Sequence, residues 1–242
     1  MGNFVNTIDV LGDDFVFDSI VSINGKLTEF KDDVITKVGL YAFFNSWNLK
    51  TVDLPNVISV EQHAFDSCLS LISLNMPNVE SIGGYAFSRC GGSLADVCFP
   101  KVTNLSNYAL YQIHFRKIVL PSVVTLNNDA LFNDCRNMEI LDFYNLSNIS
   151  GKNLIGNSDK LKAFVIRSTT MCSLSYAYAL KYSAIENKTC YIYVPRAFLN
   201  DTDSTMDYRQ ANNWSKYATQ FRALEDYTVD GTITGELDES KI

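Results

Sequence analysis

The sequence predicts a solenoid, in which short coils stack to form one continuous core and a parallel β-sheet. Two dipeptide markers recur in step along the chain at intervals of 21 to 23 residues. Between them, apolar residues alternate with polar ones over the last positions of each unit, which is the periodicity of a β-strand. Two independent markers that keep one period indicate a repeat architecture rather than a chance pattern.

The first marker is an alanine followed by phenylalanine or leucine. The alanines are spaced by 22, 22, 23 and 21 residues, in Ala42-Phe43, Ala64-Phe65, Ala86-Phe87, Ala109-Leu110 and Ala130-Leu131. Asn153-Leu154 continues the series. We expect the small alanine to let the chain turn inward and the aromatic side chain to fill the core behind it.

The second marker ends each predicted strand with a proline. It occurs in Leu54-Pro55, Met76-Pro77, Phe99-Pro100 and Leu120-Pro121, and Phe143-Tyr144 takes its place in the next unit. Proline lacks an N–H group and therefore suits the end of a strand. The alternation before it directs Leu49, Val52 and Leu54 into the core of one coil, and Leu71, Leu74 and Met76 into the next.

The ends of the chain are predicted to cap the solenoid. We expect residues 1–26 to form an N-terminal cap with a short helix over Asp13–Ile20, and residues 27–195 to form about seven coils. Residues 196–242 are predicted to form a helical cap over Tyr208–Leu224, with Trp214, Tyr217 and Phe221 on one face. A type I′ hairpin at Asp230-Gly231 and a mobile acidic tail are expected to follow.

Composition excludes several classes of function. The chain has 242 residues, 47% of them hydrophobic, and a formal net charge of −7. This mixture predicts a globular protein, and no apolar run reaches the roughly 18 residues that a membrane helix needs. Membrane insertion is therefore not expected. An acidic chain binds phosphate poorly, so nucleic acid and anionic membrane surfaces are not expected as partners.

The cysteines and histidines predict no chemistry of their own. Cys68 and Cys90 occupy the same place in adjacent coils and Cys135 lies one residue off register, which indicates buried thiols. Cys172 and Cys190 flank an irregular segment, where pairing is left open. His63 and His114 lie at unlike positions, so no catalytic or metal pair is expected, and no cofactor is predicted.

The acidic stretch from Asn200 to Asp207 has a faint likeness to a calcium loop. It lacks the central glycine and the closing glutamate of an EF-hand. We interpret it as a solvated loop that caps the helix after it.

One full unit has the pattern V-x-x-I-x-x-x-A-F-x-x-C-x-x-L-x-x-L-x-L-P, which resembles the BspA-like leucine-rich repeats of bacterial surface proteins. The resemblance covers residues from about 27 to 195 and implies a curved leucine-rich repeat solenoid, with the sheet on its concave face and turns or helical turns on its convex side. It also implies a role in adhesion or recognition without catalytic apparatus. Departures at Leu110, Leu131, Tyr144 and Asn153 predict a less regular second half.

Two columns of side chains are predicted to point outward from the sheet. They are Thr51, Ser73, Asp96, Lys117, Ile140, Ala163 and Tyr191, and Asp53, Asn75, Cys98, Val119, Asp142, Val165 and Tyr193. The columns are polar in the first coils and apolar from Val119 onward. This patch is either an exposed binding site or a surface covered by the C-terminal segment or by residues 168–186. The candidate binding residues are Lys117, Val119, Ile140, Asp142, Val165, Tyr191 and Tyr193.

These features favour a non-catalytic interaction or adhesion module for a protein or glycan partner. The alternative is a structural component of a phage tail or surface assembly. An enzyme is disfavoured because no nucleophile, base and oxyanion donors can be assembled from the spacing. Met1–Val10 shows no secretory signal, and a cell-surface, extracellular or virion-associated location is expected.

Overall fold

The computed structural model of the protein describes residues 26–91, 96–200 and 203–242. They form a parallel β-solenoid of about six turns. The helix predicted over Asp13–Ile20 lies outside the described residues. No helix in these ranges is long and apolar enough to cross a membrane.

Successive coils of the solenoid contribute strands to a main sheet and shorter strands to a second sheet. The strands in chain order are β1 (Glu29–Lys31), β2 (Lys37–Val38), β3 (Thr51–Asp53), β4 (Ser59–Val60), β5 (Ser73–Asn75), β6 (Ser81–Ile82), β7 (Asp96–Cys98), β8 (Asn104–Leu105), β9 (Lys117–Leu120), β10 (Thr125–Leu126), β11 (Ile140–Phe143), β12 (Asn148–Ile149), β13 (Ala163–Ile166), β14 (Ser173–Leu174), β15 (Tyr191–Val194) and β16 (Phe221–Ala223).

The strands pair in parallel with neighbours from adjacent coils. The main sheet has two parts, β1-β3-β5 and β7-β9-β11-β13-β15-β16, and the second sheet also has two parts, β2-β4-β6-β8 and β10-β12-β14. Parallel strands in successive coils stack with identical positions side by side, so side chains of one repeat position form columns along the molecule.

The core is built from such columns. Phe43, Phe65 and Phe87 stack with ring centroids 4.9 and 5.2 Å apart and rings within 5° of parallel. The alanine of each of these pairs is buried beside its phenylalanine. The prediction that the Ala-Phe motif faces the core is confirmed.

Two residues in most coils have left-handed backbone conformation, with φ between 48° and 66°. The first position is held by Tyr41, His63, Tyr85, Tyr108, Ala130 and Asn153, and the second, four residues later, by Asn45, Ser67, Arg89, Gln112, Asp134 and Asn157. Between these two positions, every second backbone N–H donates a hydrogen bond to a carbonyl of the next coil. Phe43 N, for example, donates to Ala64 O at 2.7 Å, and Phe65 N donates to Ala86 O at 2.8 Å.

In the fifth coil, which contains Ala130, the predicted alignment of the Ala-Phe marker is wrong by one residue. Ala130 occupies the left-handed position, so Leu131 and Phe132 stand where other coils have alanine and phenylalanine. Both are fully buried, and Phe132 N donates to Leu154 O at 2.8 Å as the Ala-Phe geometry requires. Asn153 likewise takes the left-handed position of its coil. The shift places the bulkier Phe132 in the core, which a match on alanine alone cannot reveal.

The shift also explains the position of Cys135. Its thiol donates to Leu110 O at 3.2 Å, just as the thiols of Cys68 and Cys90 donate to the carbonyls of Phe43 and Phe65. All three cysteines are free and buried, which confirms the predicted thiol column. Cys172 and Cys190 are also free, so the pairing left open by the sequence is absent.

The continuous helix predicted over Tyr208–Leu224 is wrong. The segment forms turns, a 3-10 helix over Ser215–Gln220 and then β16, which adds to β15 through the pair Ile192–Phe221. Trp214 and Tyr217 are nevertheless buried against the last coil. The aromatic spacing therefore reports burial correctly, but the backbone of Phe221 satisfies its hydrogen bonds in the sheet rather than in a helix.

The predictions for the end of the chain also need correction. Asp230-Gly231 is not a two-residue hairpin turn, because the flanking segments meet further apart, with Val229 N donating to Glu236 O at 2.8 Å. Only Gly231, with φ of +72°, has the left-handed conformation within that dipeptide. The tail predicted to be mobile forms a 3-10 helix over Glu239–Lys241 that contacts the main sheet.

Candidate functional site

The outward columns of the main sheet have the register that the sequence predicts. Thr51 pairs with Ser73 on one part of the sheet, and Lys117, Ile140, Ala163 and Tyr191 follow Asp96 on the other. The second column runs from Cys98 through Val119, Asp142 and Val165 to Tyr193. The candidate binding residues are therefore neighbours on one surface, the sheet face.

The apolar part of the sheet face is covered by residues 224–242, which we call the strap. Leu224 and Leu237 of the strap are buried with Ile140, Val165 and Tyr193 in a separate hydrophobic cluster. The ring of Tyr227 meets Tyr193 edge-on at 4.8 Å. Of the two alternatives left open for this patch, the structure shows the covered one, with the C-terminal segment as its cover.

A buried ion pair holds the middle of the strap. The guanidinium of Arg167 donates to both carboxylate oxygens of Asp142, at 2.8 and 2.9 Å, and both side chains are at most 3% exposed. A further nitrogen of Arg167 donates to the carbonyls of Ile233 and Gly235, each at 2.8 Å. Burial raises the pKa of Asp142, and the hydrogen bonds from Arg167 act in the opposite direction.

Ion pairs hold the end of the strap. The carboxylate of Glu239 accepts from Arg116 at 2.7 Å and from Lys117 at 3.0 Å. These hydrogen bonds, above all the one from Arg116, lower the pKa of Glu239. The strap carries six acidic side chains and one lysine. Its charge is thus complementary to the basic side chains that it meets on the sheet face.

The seven predicted site residues therefore differ in access. Ile140, Asp142, Val165 and Tyr193 are buried, while Val119 and Lys117 are half-buried. Tyr191 is 44% exposed and carries the guanidinium of Arg222 over its ring at 4.1 Å. Their interaction with a separate partner stays a prediction, whereas the contacts of Lys117, Ile140, Val165 and Tyr193 with the strap are part of the fold.

The strap leads to a prediction about stability. Deleting residues 224–242 is expected to expose Ile140, Val165 and Tyr193 together, and contiguous exposed apolar surface promotes association. Light scattering with size-exclusion chromatography should show aggregation, and the melting temperature should fall. Val229→Ser, at a strap position that is 70% exposed, serves as control. A monomeric protein without the strap that melts like the intact chain would contradict the covering role.

A second surface, the turn face, carries a row of aromatic side chains that are at least partly exposed. We call Tyr41, His63, Tyr85 and Tyr108 the aromatic ladder. Successive ring centroids are 4.9, 5.1 and 4.8 Å apart, and the rings are within 5° of parallel. Tyr41 is 42% exposed and the other three are half-buried. The ladder lies outside the phenylalanine column, two residues earlier in each coil.

The ladder occupies strained backbone positions. A left-handed conformation costs a non-glycine residue roughly 1–2 kcal/mol, and bulky side chains are rare there. The second left-handed position of each coil is filled mostly by the small or polar residues expected for it, such as Asn45 and Ser67. Stacking of aromatic pairs returns about 0.5–1.5 kcal/mol each. Partly exposed rings at strained positions lead to the hypothesis of a role beyond the backbone turn.

Polar side chains hold the ladder in place. The carboxylate of Asp66, only 3% exposed, lies 2.9 Å from His63 Nδ1 and accepts from Arg89 at 2.9 Å. Tyr111 meets Tyr85 and Tyr108 edge-on and donates to Asp134 at 3.4 Å. Burial raises the pKa of the Tyr85 phenol above its ordinary value.

The other residues singled out by the sequence form no metal centre. In the described ranges no group of three or more His, Cys, Asp or Glu side chains is placed to hold an ion. Asp203, from the stretch compared with a calcium loop, accepts from Thr205 N at 3.0 Å and caps a 3-10 helix over Ser204–Met206. Burial raises the pKa of Cys135 to about 12, so this thiol stays protonated and unreactive.

Comparison with known families agrees with this geometry. The family model for the BspA type Leucine rich repeat region matches residues 14–139 and 58–185, with six copies of the repeat. The chain belongs to the BspA-type leucine-rich repeat family. A search of curated proteins finds no match to it.

Two solved structures of leucine-rich repeat proteins are similar to this BspA-type chain. One is the T. pallidum leucine-rich repeat protein TpLRR, with 27% identity and a TM-score of 0.48, covering 52% of this chain and 61% of that one. The other is a leucine-rich repeat protein from Bacteroides ovatus ATCC 8483, with 22% identity and a TM-score of 0.49, covering 71% and 50%. This chain thus spans about half to three fifths of their length.

The ladder is the feature that the sequence analysis missed, although its signal was present. An aromatic residue stands directly before the alanine of the repeat in four successive units, at Tyr41, His63, Tyr85 and Tyr108. Repeat positions stack, so four aromatic residues in one column predict one contiguous surface. In contrast, nothing local in residues 224–242 indicates the strands on which they pack.

Proposed function

We propose that this protein is a non-catalytic interaction or adhesion module that presents a repeat surface to a protein or glycan partner. The observation that carries the proposal is the aromatic ladder on the turn face. Tyrosine is enriched at binding surfaces because its ring supplies contact area at low entropy cost and its hydroxyl supplies a polar handle. Membership of a leucine-rich repeat family supports a role in protein interaction.

The strap supports the turn face over the sheet face as the binding surface. It occupies the apolar part of the sheet face with its own leucines and a buried ion pair, so the predicted patch is used within the chain. On the free part of the sheet face, polar groups pair with one another: Lys31 with Glu29 at 2.7 Å, and Asn75 with Asp53 at 2.7 Å. In this proposal residues 27–195 form the scaffold and residues 196–242 cap it.

The test compares two variants of the full chain. Tyr85→Asn with Tyr108→Asn removes two rings, and asparagine tolerates the left-handed backbone. The matched control is Tyr182→Asn, because Tyr182 also has a left-handed backbone, with φ of 58°, and is 57% exposed but lies outside the ladder. Both variants and the unchanged chain are applied to an array of purified surface proteins and purified polysaccharides.

We expect the unchanged chain and Tyr182→Asn to bind the same arrayed ligand with equal affinity. The double variant should stay folded and bind it at least tenfold more weakly, although loss of the stacks, worth about 0.5–1.5 kcal/mol each, lowers its melting temperature. Equal binding by all three proteins would contradict the assignment of the ladder. Failure of the unchanged chain to bind any arrayed protein or polysaccharide would contradict the proposed function itself.

A further inference from the structure

The rings of the aromatic ladder are stacked at a nearly constant interval, and three of the four carry a phenol hydroxyl. Because the ring faces stack on one another at 4.8–5.1 Å, only ring edges and tips are left for a ligand. The hydroxyls of Tyr41, Tyr85 and Tyr108 have no hydrogen-bond partner within the described part of the chain. A phenol hydroxyl can both donate and accept. The ladder therefore offers a row of unused hydrogen-bonding groups separated by apolar ring edges.

Three pairs of opposite charge lie beside the ladder. Asp66 is held by Arg89, and Asp134 by Arg136 at 3.2 Å. Glu61, in the loop before His63, pairs with Lys37 at 2.9 Å. Each carboxylate in these pairs has a cationic neighbour, which weakens its attraction for a cationic partner, and the net charge of −7 opposes anionic polymers. The surface is suited to an uncharged ligand.

We propose that the ladder binds a linear, uncharged polysaccharide that lies along the rungs. This inference rests on the proposed function and specifies its partner. Sugar hydroxyls donate and accept hydrogen bonds as the phenol hydroxyls do. A regular row of rungs fits a polymer whose units repeat, whereas protein surfaces rarely repeat at one interval. An open row without a pocket implies that several units bind together.

The experiment is affinity electrophoresis of the full chain through gels containing one polysaccharide at a time. The uncharged probes are soluble glucans, mannans and xylans, and the charged probes are alginate and heparin. Retardation is expected with at least one uncharged probe and should be insensitive to added salt, because no ion pair forms. Short oligosaccharides of the retarding polymer should compete better as they lengthen, since each added unit engages another rung.

Three variants connect the retardation to the ladder. Tyr85→Asn with Tyr108→Asn should weaken binding at least tenfold, and Tyr182→Asn should bind like the unchanged chain. Tyr85→Phe with Tyr108→Phe keeps the stack but removes two hydroxyls, so a smaller loss is expected. This last variant keeps the test decisive if the asparagine variant unfolds.

Other outcomes would overturn the inference in distinguishable ways. If the ladder variants lose binding to an arrayed protein while no uncharged polysaccharide retards the chain, the partner assignment fails and the proposed function stands. Binding to alginate or heparin alone, abolished by salt, would likewise overturn the uncharged partner. If no ligand of either kind binds, the proposed function fails together with the inference.

Discussion

Replacing Phe65 by alanine is expected to lower the free energy of unfolding by about 3–5 kcal/mol, the usual cost of truncating a buried core aromatic. Phe65 is fully buried and stacks on Phe43 and Phe87 on its two sides. The cavity would lie between two coils whose backbones are joined by hydrogen bonds, which limits collapse. A comparable loss is expected for Phe87→Ala, measured by urea unfolding.

The chain offers a matched control at the same repeat position. Leu110 takes the place of phenylalanine in the fourth coil and is fully buried there. Phe65→Leu is therefore expected to cost less than about 1.5 kcal/mol, as for a hydrophobic exchange that keeps most of the volume. An alanine variant at Phe65 or Phe87 that unfolds at the same urea concentration as the unchanged protein would mean that the Ala-Phe motif does not support the core.

The same repeat logic explains why the sheet face could be predicted residue by residue. Strand side chains alternate with a period of two, so the spacing from each proline determines which residues share a column. Ile140 and Val165 therefore lie in the predicted columns, with Asp142 in the same column as Val165. The prediction was less accurate in the turn, because Ala130 matches the alanine marker while its backbone occupies the preceding left-handed position.

The cover of the sheet face could not be predicted because its contacts are distant in sequence. Glu239 binds Arg116 and Lys117 across more than 120 residues. Neither partner has a local pattern that selects the other from the remaining charged residues.

The helix predicted at the C-terminal end is wrong for a similar reason. The aromatic spacing of Trp214 and Phe221 predicts a helix by local criteria, but the edge of β15 offers Phe221 a strand pairing instead. Tertiary contacts here outweigh local preference.

The second large effect is expected at the buried ion pair beneath the strap. Arg167→Met leaves the carboxylate of Asp142 without its partner and the carbonyls of Ile233 and Gly235 without a donor. Removing one member of a buried pair typically costs about 3–5 kcal/mol, because the remaining charge is uncompensated. We expect a loss of this size in urea unfolding at neutral pH, together with faster proteolysis within the strap.

The matched double variant separates the charge from the packing. Arg167→Met with Asp142→Leu removes both charges, and replacing a buried pair by apolar side chains is often neutral. The two strap carbonyls would still lack a donor, which costs about 1–3 kcal/mol for each buried group left unsatisfied. The double variant is therefore expected to be more stable than Arg167→Met. If it is less stable, the unpaired carboxylate is not the source of the loss.

The loss in Arg167→Met is also expected to depend on pH. Burial raises the pKa of Asp142 above its unfolded value, so the folded state retains this proton to higher pH than the unfolded chain does. The stability that the raised pKa of Asp142 contributes is fully present below the pKa of this group in the unfolded chain. It is lost as pH rises through the pKa of Asp142 in the folded state. Without Arg167, which opposes the shift, the folded pKa rises further. The loss of unfolding free energy caused by Arg167→Met should therefore be smaller at low pH. The double variant Arg167→Met with Asp142→Asn should lack this pH dependence. An equal loss at pH 5 and pH 7 for Arg167→Met would contradict the role of the Asp142 charge.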